Sequence, residues 1–90
     1  MLSLEFAGSF KKDFKKIEKT QKDLKKLWAL VNFLIHEQKI PIKYKLHKIK
    51  GNWKGHYECH IEPDWLLIYR YDRFKLILVR TGSHAQLLKI

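Results

Sequence analysis

Trp65-Leu66-Leu67-Ile68-Tyr69-Arg70-Tyr71, then Asp72-Arg73, then Phe74-Lys75-Leu76-Ile77-Leu78-Val79-Arg80 is the stretch that decides the fold. Two apolar, aromatic-rich runs separated by two polar residues read as an antiparallel β-hairpin. Just upstream, Gly55 to Ile61 alternates. Tyr57, Cys59 and Ile61 point one way, and His56, Glu58 and His60 point the other. Pro63-Asp64 supplies a turn or bulge between this strand and the hairpin. After Arg80, residues 82–90 leave room for one helical turn or a terminal strand.

Toward the N-terminus, Lys39 to Asn52 holds Pro41, Gly51 and no long periodic run, which predicts loop or irregular extended chain. Before it, Leu24, Leu27, Trp28, Val31, Leu34 and Ile35 form the apolar stripe of a helix running to about His36. Thr20-Gln21-Lys22-Asp23 ahead of that stripe resembles a capping box. An earlier helix, capped by Ser9, places Phe10, Phe14 and Ile17 on one face and ends around Lys19. So short a joint predicts an antiparallel helical hairpin. Leu2 to Phe6 alternates as a short strand. The order is β-α-α-β-β-β: an α+β fold with the helical hairpin on one face of a small, mainly antiparallel sheet. The other face is expected to stay available, lined by His56, Glu58 and His60.

Ninety residues bury roughly 60% of the unfolded surface, enough for one thin core, so residues 1–90 are read as one domain. With 46% hydrophobic and 13% aromatic residues the chain is not a disordered tail. Nineteen Lys and Arg against nine Asp and Glu give a net charge of +10, which favours a polyanionic partner. Cys59 is the sole cysteine; it excludes an internal disulfide and suits a reducing cytosol. Its strand face matches Tyr57 and Ile61, which argues for a buried thiol over a nucleophile. The apolar stretch from Leu27 to Ile35 is about half of a membrane span, and MLSLEFAGSF does not read as a secretion leader. The four glycines are scattered, so no phosphate-binding loop exists.

Residues 11–26 carry eight lysines and read as a solvated helix surface. Six more (Lys39, Lys43, Lys45, Lys48, Lys50, Lys54) fall in a stretch without acids, beside Tyr44 and Trp53. Lysines interleaved with aromatics suit a nucleic-acid backbone with bases stacking nearby. Four of the five histidines lie between His47 and His84, with Glu58, Glu62 and Asp64. No close pair has the spacing of zinc ligands, and His56 and His60 would sit about 13 Å apart on a strand. No metal or cofactor is expected. Histidines with carboxylates and cations instead suit cleavage of RNA by its own 2′-hydroxyl. A base takes the hydroxyl proton, an acid protonates the departing 5′-oxygen, and cations steady the phosphate.

Cys59-His60-Ile61-Glu62-Pro63-Asp64-Trp65-Leu66-Leu67-Ile68-Tyr69, then Arg80-Thr81-Gly82-Ser83-His84, resembles the YafQ-type branch of the RelE/ParE toxin superfamily. His47-x-x-x-Gly51-x-Trp53-x-Gly55 fits the segment before it, and the element order fits the RelE-like fold. The resemblance implies a cytoplasmic toxin of a type II toxin-antitoxin pair that cuts mRNA, commonly on the ribosome. It further implies a cognate antitoxin, expected to be acidic, with operator DNA bound only through the toxin–antitoxin complex, and no membrane. His47, His60, Asp64 and His84 would form the active site, with Trp65 supporting it and Arg80 a phosphate contact. His60 and Asp64 would act near the 2′-hydroxyl, His84 as the acid, and His47 on the phosphate. Lys48, Lys50, Lys54, Trp53 and Glu58 complete the expected substrate-binding set. Departures from the pattern are Lys48 in place of proline, Tyr57 in place of arginine, Leu88 in place of an aromatic, and the extension Lys89-Ile90. A non-catalytic ParE-like gyrase inhibitor and a plain basic nucleic-acid-binding module are the alternatives on the same fold.

Overall fold

The computed structural model describes residues 1–88. Lys89, Ile90 and the Leu88 side chain lie outside the described residues, and so do the expectations attached to them. The elements are β1 (Ser3–Phe6), α1 (Gly8–Glu18), α2 (Leu24–Ile35), β2 (His47–Lys48), β3 (Tyr57–Glu62), β4 (Trp65–Asp72), β5 (Lys75–Gly82) and α3 (His84–Leu88). Two 3₁₀ turns, Ile42–Tyr44 and Gly51–Trp53, flank β2. The strands form one sheet in the order β1-β5-β4-β3-β2. Among the described residues, only β1 runs parallel to its neighbour, with Ser3 opposite Lys75 and Phe6 opposite Leu78. The expected α+β architecture is present, with β2 added at the edge: His47 and Lys48 pair with Glu58 and Tyr57 inside the stretch expected to be loop.

Helices α1 and α2 cover one sheet face. Phe10, Ile17, Leu27, Leu30, Val31 and Leu34 pack there on Cys59, Ile61, Trp65, Leu67, Tyr69, Leu76 and Leu78. Trp28, placed by periodicity in the buried stripe, is instead half-exposed, and Leu30 takes the core position. Its indole lies over Phe14 and edge-on to Phe6, in an aromatic cluster near the surface. Burial pushes the Cys59 thiol up to about 11, as befits an inert core cysteine. The helix starts also differ from expectation. Ala7 precedes α1, and the Ser9 hydroxyl donates to Val79 O on β5. Asp23 alone caps α2, accepting from Lys25 N, while Thr20 Oγ1 donates to Ile17 O and closes α1.

The second sheet face is not left open. Leu66, Ile68 and Leu87 are buried there against Ile49, Trp53 and Val79, so the segment after β2 and helix α3 fold over the sheet. Central β4 is therefore buried on both faces, which explains its unbroken apolar run. The open remainder of this face lies toward the end of β3, where the Pro63-Asp64 turn follows a register shift between His60 and Glu62. Such shifts re-aim side chains at strand ends.

Beyond Phe6 the chain leaves the β5 edge, and α1 takes over its hydrogen bonds. Ala7 N donates to Leu78 O at 2.9 Å, and Thr81 N donates to Asp13 Oδ2 at 3.1 Å. Arg80 grips the same carboxylate through Nε at 2.6 Å and Nη2 at 3.2 Å. That hydrogen-bonded partner raises the Arg80 guanidinium above its usual range, outweighing burial. Thr81 Oγ1 accepts from Trp65 Nε1 at 2.9 Å and donates to Leu66 O at 2.8 Å.

Candidate active site

The β3 alternation puts Glu58 and His60 on the same face, away from α1 and α2. β2 lies alongside and sets His47 directly opposite Glu58. His84 arrives from the far end of β5, at the first turn of α3. That turn is fixed by a reciprocal capping box: Gln86 N donates to Ser83 Oγ, and Ser83 N donates to Gln86 Oε1. Gly82 allows the close approach. Its φ is +154°, and a Cβ there would meet Gln86 Oε1 at 2.8 Å and Leu87 at 3.3 Å. Asp64 ties the two ends together, since its Oδ1 accepts from His84 N at 3.1 Å.

Three imidazoles converge on one carboxylate oxygen. Glu58 Oε1 lies 3.3 Å from His47 Nε2, 3.2 Å from His60 Nε2 and 3.9 Å from His84 Nε2. The His60 ring centroid is 6.2 Å from that of His47 and 5.5 Å from that of His84. Glu58 is only 3% exposed, whereas the His47 side chain is 54% exposed and open to a ligand. On the far side of each ring, His47 Nδ1 faces Lys45 O at 3.0 Å and His60 Nδ1 faces Pro63 O at 3.3 Å. A carbonyl oxygen only accepts, so each Nδ1 carries a proton. Nε2 is then the nitrogen free to take or give one. Each Nε2 faces Glu58 Oε1, so a proton taken up by a ring has the carboxylate oxygen beside it.

Glu58, His60 and His84 each offer a donor atom, and the three atoms lie within 4.8 Å of one another. A set of two imidazoles and a carboxylate suits borderline transition metals. Sequence spacing concealed it, because Glu58 and His60 come from β3 and His84 from α3, more than twenty positions on.

His47, His60, Asp64 and His84 are thus brought together, and Glu58 joins them as their hub. Its assignment to the substrate surface needs correction: the carboxylate is buried under the rings. Strand alternation placed Glu58 beside His60, and a strand glutamate unlikely to be buried unpaired was the available signal. Trp65 is also corrected. Completely buried on the helix-covered face and bonded to Thr81, it cannot touch substrate. Arg80 lies with Asp13 at the sheet edge, outside the cluster. Trp53 packs on the second core and stands edge-on to His56, 5.2 Å away. Lys48, Lys50 and Lys54 line a separate cleft of about 490 Å³. His56 stays out of the cluster, its Nδ1 facing Lys54 O.

A family model described as the bacterial toxin of a type II toxin-antitoxin system, YafQ, matches residues 2–89. The chain is 42% identical over 85 residues to the mRNA interferase toxin YafQ of Escherichia coli, covering 93% of this chain and 92% of that one. Among solved structures, a copper-bound mutant toxin from Helicobacter pylori superposes with a TM-score of 0.92 at 38% identity, over 97% of this chain and 99% of the other. The toxin of the Escherichia coli DinJ-YafQ complex gives 0.88 at 41% identity, over 97% and 98%. The family model spans nearly the whole chain, and the curated relative and the solved structures match it over the same length: this chain belongs to the YafQ family of type II toxin-antitoxin toxins.

Proposed function

We propose that residues 1–90 act as one endoribonuclease domain that cleaves mRNA, on the ribosome, in the bacterial cytoplasm. The observation that carries this reading is the convergence of three imidazole Nε2 atoms within 3.9 Å of the buried Glu58 Oε1. His60, backed by Glu58, takes the proton from the 2′-hydroxyl as its oxygen attacks the adjacent phosphorus. The bond from phosphorus to the 5′-oxygen breaks, and His84 donates a proton to that oxygen. The products are a 2′,3′-cyclic phosphate and a free 5′-hydroxyl. His47, the most exposed of the three rings, contacts the phosphate, and Asp64 holds the His84 backbone in place. A surface built only to bind another protein has no use for proton donors gathered on a buried carboxylate. An acidic antitoxin neutralises the toxin, as the DinJ-YafQ complex supports, and operator DNA is bound only through that pair.

The test is to map transcript ends after brief induction. Wild type is expected to yield 2′,3′-cyclic phosphate ends. His60→Ala and His84→Ala are each expected to lower the yield about 10²–10⁴-fold, the usual cost of losing a general base or acid. Equal yields from all three proteins would overturn the assignment.

The donor geometry favours a second, regulatory reading. The Helicobacter pylori neighbour is copper-bound. A copper(II) ion held by Glu58, His60 and His84 would occupy the nitrogens that proton transfer needs. Copper in modest excess is therefore expected to stop cleavage and raise the melting temperature, both reversed by a chelator. Full activity in saturating copper with no thermal shift removes this reading.

A further inference from the structure

A second basic cleft, of about 430 Å³, opens directly beside His60. It exists because β2 is so short. β2 pairs with β3 only at Tyr57 and Glu58, so the outer edge of β3 from His60 onward has no strand against it. The 3₁₀ turn Ile42–Tyr44 and the first half of α2 pack there instead, and the cleft lies between them. Lys25 and Lys26 line it from α2, and Lys43 and Lys45 from the turn. Sequence alone assigned these lysines to two unrelated groups, a solvated helix face and a loop cluster.

Among the described residues, Glu62 is the sole carboxylate lining the cleft, and it is already engaged with Lys26 Nζ at 2.8 Å. Three ammonium groups remain to meet an incoming anion. Lys43 is held in place, its Nζ 5.2 Å from the centroid of the buried Tyr44 ring. Lys45 sits in the left-handed region at φ +47°, and its carbonyl accepts from His47 Nδ1. One turn therefore both aims the His47 ring and presents lysines to the cleft. His60 also lines the cleft, so a chain seated there lies next to the catalytic cluster. A strand cut at an internal bond must also continue past the catalytic rings, with a charge at every nucleotide.

We propose that this cleft binds the phosphodiester backbone of RNA next to the scissile bond, through Lys25, Lys43 and Lys45. The proposal deepens the endoribonuclease reading and rests on it. An acidic antitoxin segment is the competing occupant. RNA is favoured because His60, the proposed base, is one of the residues lining the cleft.

The test measures affinity for single-stranded 2′-O-methyl RNA, an octanucleotide and a dinucleotide, by fluorescence anisotropy across a range of salt. Because this RNA lacks the nucleophile, binding and cleavage are read separately, and failure of one does not conceal the other. Lys25→Gln with Lys43→Gln is expected to weaken octanucleotide binding about ten-fold and to affect the dinucleotide much less. Its log-affinity against log-salt slope is expected to flatten by about 1.4, at ~0.7 per lost phosphate contact. The control, Lys11→Gln with Lys15→Gln, removes the same charge from the exposed side of α1 and is expected to bind the octanucleotide nearly as wild type does. All four positions are exposed, so each variant should melt as wild type does. Equal losses in the cleft and control variants, or no loss in either, would overturn the proposal. So would a cleft variant that keeps its RNA affinity but loses binding to the antitoxin.

Discussion

Glu58→Gln is expected to lower RNA cleavage by about 10²–10⁴-fold, as much as losing a histidine, although Glu58 is only 3% exposed. The amide has nearly the same shape, so the fold should survive. What changes is charge and proton inventory. His47 and His60 hold their Nδ1 protons toward carbonyls, so a proton on either Nε2 is stabilised by the negative oxygen between the rings. A glutamine presents either a neutral oxygen or an N–H there, and neither balances an imidazolium. Residues acting as one unit are strongly non-additive. Glu58→Gln combined with His60→Ala should therefore cost little more than the worse single change. Single-turnover cleavage with a parallel thermal melt checks both points. A Glu58→Gln protein that is folded and cuts at the wild-type rate would falsify the hub role.

The second large effect concerns stability. Asp13→Ala should destabilise the protein by about 3–5 kcal/mol, a large part of a total of roughly 5–15 kcal/mol for a domain of this kind. Asp13 is buried in α1 and satisfies three donors at the β5 edge: Arg80 Nε, Arg80 Nη2 and Thr81 N. Truncation leaves a half-buried guanidinium and a buried backbone N–H without a partner. Thr81 in turn holds the Trp65 indole, and Gly82 to His84 follow directly, so cleavage should fall as well. Arg80→Ala should cost less, because that residue is more exposed than its partner. In urea denaturation, a cycle of the two changes should show a coupling of about 1–3 kcal/mol. An Asp13→Ala loss below about 0.5 kcal/mol would show that water replaces the carboxylate freely.

The places where local reading departed from the structure share a cause. Trp28 has the right helical spacing for the core, but the neighbouring aromatics Phe6 and Phe14 draw it to the surface. His47-Lys48 is too short to announce a strand, and it becomes one only because Glu58 and Tyr57 lie alongside. The resemblance made Arg80 a phosphate contact, whereas its carboxylate partner, Asp13, lies 67 positions away, beyond the reach of any local pattern.

The sequence by itself determined the order of the strands and helices other than β2 and α3, the β4–β5 hairpin, the buried thiol and the basic character. Those features follow from periodicity, turn chemistry and residue type, all of which act over a few neighbours. The tertiary structure decided which carboxylate the histidines share, that His47 and His84 reach it from β2 and α3, and that lysines from α2 and the Ile42–Tyr44 turn frame one cleft. These depend on strand register and on which edge each strand occupies. Both are set by non-local hydrogen bonds and by packing on the two faces of β4, and no local pattern encodes them.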